Sequence, residues 1–134
     1  MKMKADDLQA DEAIEAVPEL AIRRGSRQVF ALHAGVSGDH YPIHIDTDFI
    51  QKVGVDDVFT HGMPVMAWLG RALTNFVPRS TLRSWGLRSA SIIEVSAEIH
   101  CCGTATEPLE QDGEQRLRLG IVAADRARDI KLKR

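Results

Sequence analysis

The sequence predicts an α+β domain, an antiparallel sheet covered by one long apolar helix, and three observations carry that expectation. Met66, Leu69, Leu73 and Phe76 or Val77 recur at steps of three and four residues, which places them on one face of a helix. Beyond Ser84 the period changes, and Ile92, Ile93, Val95, Ile99, Leu117, Leu119, Ile121 and Val122 fall in extended, β-branched runs. Within that half, Gln111-Asp112-Gly113 supplies an Asp-Gly pair that suits a tight hairpin, so strands on either side of it run antiparallel.

The chain has 134 residues, 44% of them hydrophobic and 27% charged, the balance of one globular domain and not of a disordered segment. Its start is polar and reaches Pro18 without a hydrophobic period, so residues 1–19 read as a flexible N-terminal arm and residues 20–134 as a single domain. Seventeen Lys and Arg against nineteen Asp and Glu leave no global positive field, which argues against nucleic acid or an anionic membrane as a partner. The first fifteen residues lack an apolar core, so no signal or transit peptide is expected. Met63 to Val77, the longest apolar stretch, contains Arg71 and is too short to span a bilayer. Cys101 and Cys102 are adjacent in an extended run, point to opposite sides and cannot readily pair, which fits a reduced, cytoplasmic protein.

Along the chain, Ser26 is placed to cap a short helix that carries Val29, Phe30, Leu32 and Val36. Gly38 and Pro42 end it, the first by tolerating irregular backbone and the second by biasing Tyr41 away from the α region, so Asp39 to His44 is expected as a loop. Asp46 to Val53 follows as a second short helix, capped by Asp46 or Thr47 and closed by Gly54. The long helix runs from about Met63 to Phe76, with Pro64 in its first turn and Pro78 beyond its end.

Two segments hold residue types that do chemistry. Ser37-Gly38-Asp39-His40-Tyr41-Pro42-Ile43-His44 puts a carboxylate and an imidazole five residues apart on a backbone bent by Gly38 and Pro42. If both converge on one water they form an acid and base pair suited to neutral pH; taken alone, each is as readily a cap and a surface residue. Phe59-Thr60-His61-Gly62-Met63-Pro64 precedes the apolar helix, where free backbone N–H groups and the positive end of the helix dipole face outward. Gly62 has no side chain to keep a ligand oxygen from its amide, although a glycine there also serves simply to turn the chain.

Together, Ser37-Gly38-Asp39-x-x-Pro42-Ile43-His44-x-Asp46 and His61-Gly62-Met63 resemble the MaoC-like, (R)-specific enoyl-thioester hydratase and dehydratase family, also called hydratase 2. The resemblance implies a hotdog fold, an antiparallel sheet wrapped around a long central helix. It implies (R)-specific hydration of trans-2-enoyl-CoA or acyl-carrier-protein thioesters, or the reverse dehydration, with no metal and no redox cofactor. By position, Asp39 and His44 match the family's catalytic pair and the Gly62 amide its donor to the thioester carbonyl. A homodimer or a heterodimer with a second hotdog chain is the implied assembly.

Three departures from the family pattern stand out. Tyr41 occupies a position usually held by Asn, which alters the loop or reshapes the acyl pocket, so Tyr41 joins the candidate substrate-binding residues. Ser89 and Ala90 follow Arg88 where an aromatic residue is usual. Members generally add a strand after a segment like Asp129 to Lys133, so the sheet is expected to lack a strand or finish it short.

Other readings stay open at this point. A thioesterase of the same fold would place a carboxylate on or beside the long helix, and Met63 to Val77 contains none. A half-catalytic or acyl-CoA-binding subunit, completed by a related chain, fits the Tyr41 and C-terminal departures. His40 and His44 have the spacing of a helical metal pair, but Pro42 between them opposes the helix that would align them. Arg79, Arg83 and Arg88 form either a CoA-phosphate contact or a solvated basic face.

Overall fold

The computed structural model describes residues 16–23 and 25–134. Helix α4, Gly62–Phe76, is the long apolar helix, and its buried face of Val65, Leu69, Ala72 and Leu73 follows the three- and four-residue rhythm of the sequence. That face lies on a five-stranded antiparallel sheet of order β1-β3-β4-β5-β2, with β1 at Ala16–Ile22, β2 at Arg88–Ser89, β3 at Ile99–Gln111, β4 at Glu114–Asp125 and β5 at Ile130–Lys133. The core between the two layers is built from the helix residues with Val17, Ile99, Cys101, Ile121, Ala123 and Leu132 of the sheet. Inward positions alternate along β3, where Ile99, Cys101, Gly103 and Ala105 are buried and the residues between them are not. Both cysteines are free, and burial pushes the Cys101 thiol up to about 12, as befits a packing residue.

The hairpin forms as expected. Asp112 and Gly113 both take positive φ, 56° and 74°, the left-handed pair of a two-residue turn that matches strand twist. Helix α1, Arg27–Ser37, starts at Ser26, whose hydroxyl accepts from the Val29 amide, and ends at left-handed Gly38, which donates to the Ala34 carbonyl. Helix α3, Thr47–Lys52, is capped by the Asp46 side chain, which accepts from the Phe49 amide.

Four expectations change. Residues 1–15 of the N-terminal arm lie outside the described residues, but residues 16–19 belong to β1, hydrogen-bonded to β3 through an irregularity between Val17 and Leu20. Pro18 hides that strand from the periodicity because it sits at the irregularity, where no ladder bond is asked of it. Asp39 to His44 is only partly loop: Pro42–Ile45 makes a one-turn helix, α2, because proline at the first helical position has the right φ and needs no N–H. Ile92, Ile93 and Val95 are not a strand; they cross between β2 and β3 with a single bridge from Glu94 to Phe59. Segment 130–133, read from the sequence as preceding a further strand, is itself a strand, β5, held between β4 and β2.

On α1, only Phe30 and Ala34 are buried, while Val29, Leu32 and Val36 form an apolar stripe that faces away from the core. Among the described residues, no helix is long and apolar enough to cross a membrane.

Candidate active site

The turn after α1, the short helix α2 and the start of α4 bring the motif residues together. Asp39 follows the left-handed Gly38, His44 lies on α2, and His61 and Gly62 open α4. The Asp39 carboxylate is oriented by the chain around it: its Oδ1 accepts from the Tyr41 amide at 3.3 Å, and the Asp39 amide donates to the Ser37 hydroxyl at 3.2 Å. Its other oxygen, Oδ2, is 4.0 Å from His44 Nε2. That gap is too wide for a direct hydrogen bond, but a water about 2.8 Å from each atom fits between them.

His44 is held in one tautomer. Its Nδ1–H donates to the Phe59 carbonyl at 2.6 Å, because a carbonyl can only accept, so Nε2 carries the lone pair and turns it toward Asp39. The ring is wedged between Phe59, edge-on with centroids 5.3 Å apart, and His61, stacked with centroids 4.0 Å apart. Phe59 is fixed in turn by its bridge to Glu94, and Thr60 donates to the Ile93 carbonyl from both its amide and its hydroxyl, each at 2.8 Å.

A cleft of about 420 Å³ opens beside this group, lined by His44, Phe59, Thr60 and Gly62 on one side and by the Ser89–Ile93 segment on the other. Gly62 is the first residue of a fifteen-residue helix whose N-cap, His61, makes no side-chain capping bond. A Cβ at Gly62 would meet nothing within 4 Å, so the protein's own packing does not demand glycine there. Gly62 and His44 line the same cleft, and the N-terminal end of α4, where the helix dipole is positive, lies at Gly62.

The sequence-derived candidates therefore divide. Asp39 and His44 approach each other, and His44 and Gly62 line the same cleft. Tyr41 does not join them through its side chain, which is 58% exposed and lines no part of the cleft; its contribution is the amide that orients Asp39. His61 is the residue that sequence reasoning passed over. It is 2% exposed, donates from Nε2 to the Asp39 carbonyl at 2.9 Å and stacks on His44. Its place beside Gly62 in the motif was the available signal, but a histidine before a helix is equally a cap. Arg83 is engaged with Glu114 and stands apart from the cleft.

A family model for the MaoC-like domain matches residues 7–117. The chain belongs to the MaoC-like domain family. The MaoC-like fold here is the hotdog fold, and solved structures agree. The R-hydratase PhaJ1 from Pseudomonas aeruginosa superposes with a TM-score of 0.75 at 19% identity, over 91% of this chain and 77% of that one. An (R)-hydratase from A. caviae involved in PHA biosynthesis gives 0.77 at 18% identity, over 94% of each chain. The ChsH1-ChsH2 complex from Mycobacterium tuberculosis gives 0.73 at 19% identity, over 92% of this chain and 93% of that one. No curated protein matches the chain.

Proposed function

We propose that this MaoC-like chain is a hydro-lyase that adds water across the trans-2 double bond of an enoyl thioester, carried on CoA or acyl-carrier protein, or removes it from the (R)-3-hydroxyacyl product. The observation that carries the reading is the 4.0 Å gap between Asp39 Oδ2 and His44 Nε2, with His44 and Gly62 lining one cleft. A water in that gap donates one O–H to each acceptor, and its oxygen lone pair is left to attack C3. As the C–O bond forms, the π electrons move onto the thioester carbonyl oxygen, where the Gly62 N–H and the α4 dipole stabilise the negative charge. The proton taken from the water returns to C2 from the same Asp39 and His44 pair, so both additions occur on one face.

The test is turnover of crotonyl-CoA, longer enoyl-CoAs and bulky cyclic acyl-CoAs, followed by loss of the enoyl absorbance. Absence of turnover across the panel overturns the reading, and release of free CoA thiol would replace it with hydrolysis.

The reading extends to a dimer, either of two copies or with a second hotdog chain. Among the described residues the edges of β1 and β2 carry no further strand and Val29, Leu32 and Val36 form an outward stripe, and both support it. Likeness to one chain of the ChsH1-ChsH2 complex is compatible with the heteromeric alternative, a half-catalytic subunit. Light scattering distinguishes the cases. An active 14.8 kDa monomer contradicts both, and an inactive chain that gains activity with a second hotdog chain selects the heterodimer.

A further inference from the structure

We propose that His61 is a positioning residue, one side chain that holds the Asp39 carbonyl and the His44 ring in a fixed relation and so sets the gap between the two acid and base groups. Its own place is rigid. His61 is buried at the head of α4, whose Val65 and Leu69 lie in the core, and His33 of α1 stands edge-on against it with ring centroids 4.8 Å apart. The usual role of a residue before a helix does not account for it, because its side chain makes no capping bond. Nor does packing alone: Nδ1 is buried with no partner among the described residues, a cost that leucine or phenylalanine would avoid.

Each of the two groups needs what His61 supplies. Asp39 is half exposed, and its hydrogen bonds with the Ser37 hydroxyl and the Tyr41 amide reach only two residues along the chain. They shape the segment without fastening it to the body of the domain. The bond from His61 Nε2–H to the Asp39 carbonyl, 2.9 Å long, crosses 22 residues and ties that segment to α4. A carbonyl only accepts, so the His61 proton is on Nε2. For His44, the Nδ1–H bond to Phe59 fixes one corner of the ring, and a ring held at one corner can still tilt. The face of His61, stacked at 4.0 Å with 26° between the planes, opposes that tilt. His61 also shares a planar peptide unit with Gly62, so the same residue sets the plane of the Gly62 amide.

The effect on turnover rests on the hydratase reading; the restraint itself does not. Imidazole nitrogen NMR reads the restraint directly. The wild type should show His61 protonated at Nε2 and His44 at Nδ1, with the His44 Nδ1 proton protected from exchange. In His61→Leu that proton should exchange at least about tenfold faster, because the ring is released. The same variant should lose at least about tenfold in kcat with KM changed less than about threefold, since the reacting groups are misplaced and substrate contacts are not. His61→Gln keeps an N–H donor without the ring and His61→Phe keeps the ring without the donor, so each should lose less than His61→Leu. A wild-type His61 proton on Nδ1 overturns the proposal with no variant needed, which covers the case of variants that fail to fold. Unchanged proton exchange or unchanged kcat in folded His61→Leu also overturns it, as does a loss confined to KM. If the NMR results are as expected but the wild type turns over no enoyl thioester, the restraint stands and the reading of function falls.

Discussion

Lys131 Nζ donates to the Ile92 carbonyl at 2.8 Å, tying strand β5 to the wall of the cleft. The ammonium is 2% exposed and reaches Glu94 at 3.0 Å, Asp129 at 2.9 Å and Asp125 at 3.4 Å. Ser91 also donates to Asp129, and the Ala90 amide to the Lys131 carbonyl, so the segment opposite His44 is held along its length. Replacing Lys131 by Met strands the Ile92 carbonyl and several carboxylates. The cost expected is about 2 kcal/mol, below the full penalty for an orphaned buried charge because Glu94 and Asp129 remain in water. Urea unfolding should show a lower midpoint at unchanged slope.

The same lysine sets an alkaline limit. Burial works against its charge, but the hydrogen bonds it donates to Asp129 and Glu94, with the nearby carboxylate charges, outweigh burial and raise its pKa above the ordinary 10.5. A raised group stabilises the fold fully below its unfolded pKa, and the contribution is lost as pH rises through the folded value. The wild type should therefore lose stability above about pH 10.5 relative to Lys131→Met. Thermal melts of both proteins across that range check it.

Glu114 gives the opposite sign at the other end of the scale. Hydrogen bonds from Arg83 first and Arg116 second hold its carboxyl down to about 2, from an ordinary 4.5. Its contribution is present above 4.5 and is lost as pH falls toward 2. The melting difference between wild type and Glu114→Gln should shrink over that window; a difference that stays constant would mean the pairing adds no linkage.

His44→Ala and Asp39→Ala should each lower turnover at least about a hundredfold while circular dichroism and melting stay near those of the wild type. Near-normal activity in either variant removes that residue from the mechanism.

Gly62→Ala separates packing from chemistry. The added methyl meets nothing of the protein within 4 Å, so stability should change little, yet on the proposed function it enters the space a thioester carbonyl oxygen would need to reach the amide. A drop in kcat/KM of at least about tenfold is expected, in the range of losing part of one oxyanion donor. Unchanged kinetics would show that the Gly62 N–H does not bind substrate.

Much of this molecule is legible from its residues because the signals are local. Ser26, Asp46 and the Asp112-Gly113 pair act within three or four residues, and the structure places each in the role its chemistry suggests. Asp39, His44 and Gly62 were found through motif spacing. What escaped depends on distant partners. Ile92 and Ile93 have every preference for a strand, but Lys131 and Thr60 take the carbonyls of Ile92 and Ile93, and no periodicity reports that. His61 acquires its meaning only when α1 and α4 converge and set it against His44 and Asp39. Pro18 conceals β1 because its irregularity is visible only once β3 lies alongside.

The bond from Thr60 to Ile93 spans 33 residues of chain, whereas the β3–β4 hairpin closes across two. Loop closure makes the first slow and the second fast. During refolding the hairpin should regain its amide protection early, and the clamp on Phe59, on which the orientation of His44 depends, should arrive late. Recovered activity would then serve as a clock for the last event of folding, trailing the return of secondary structure.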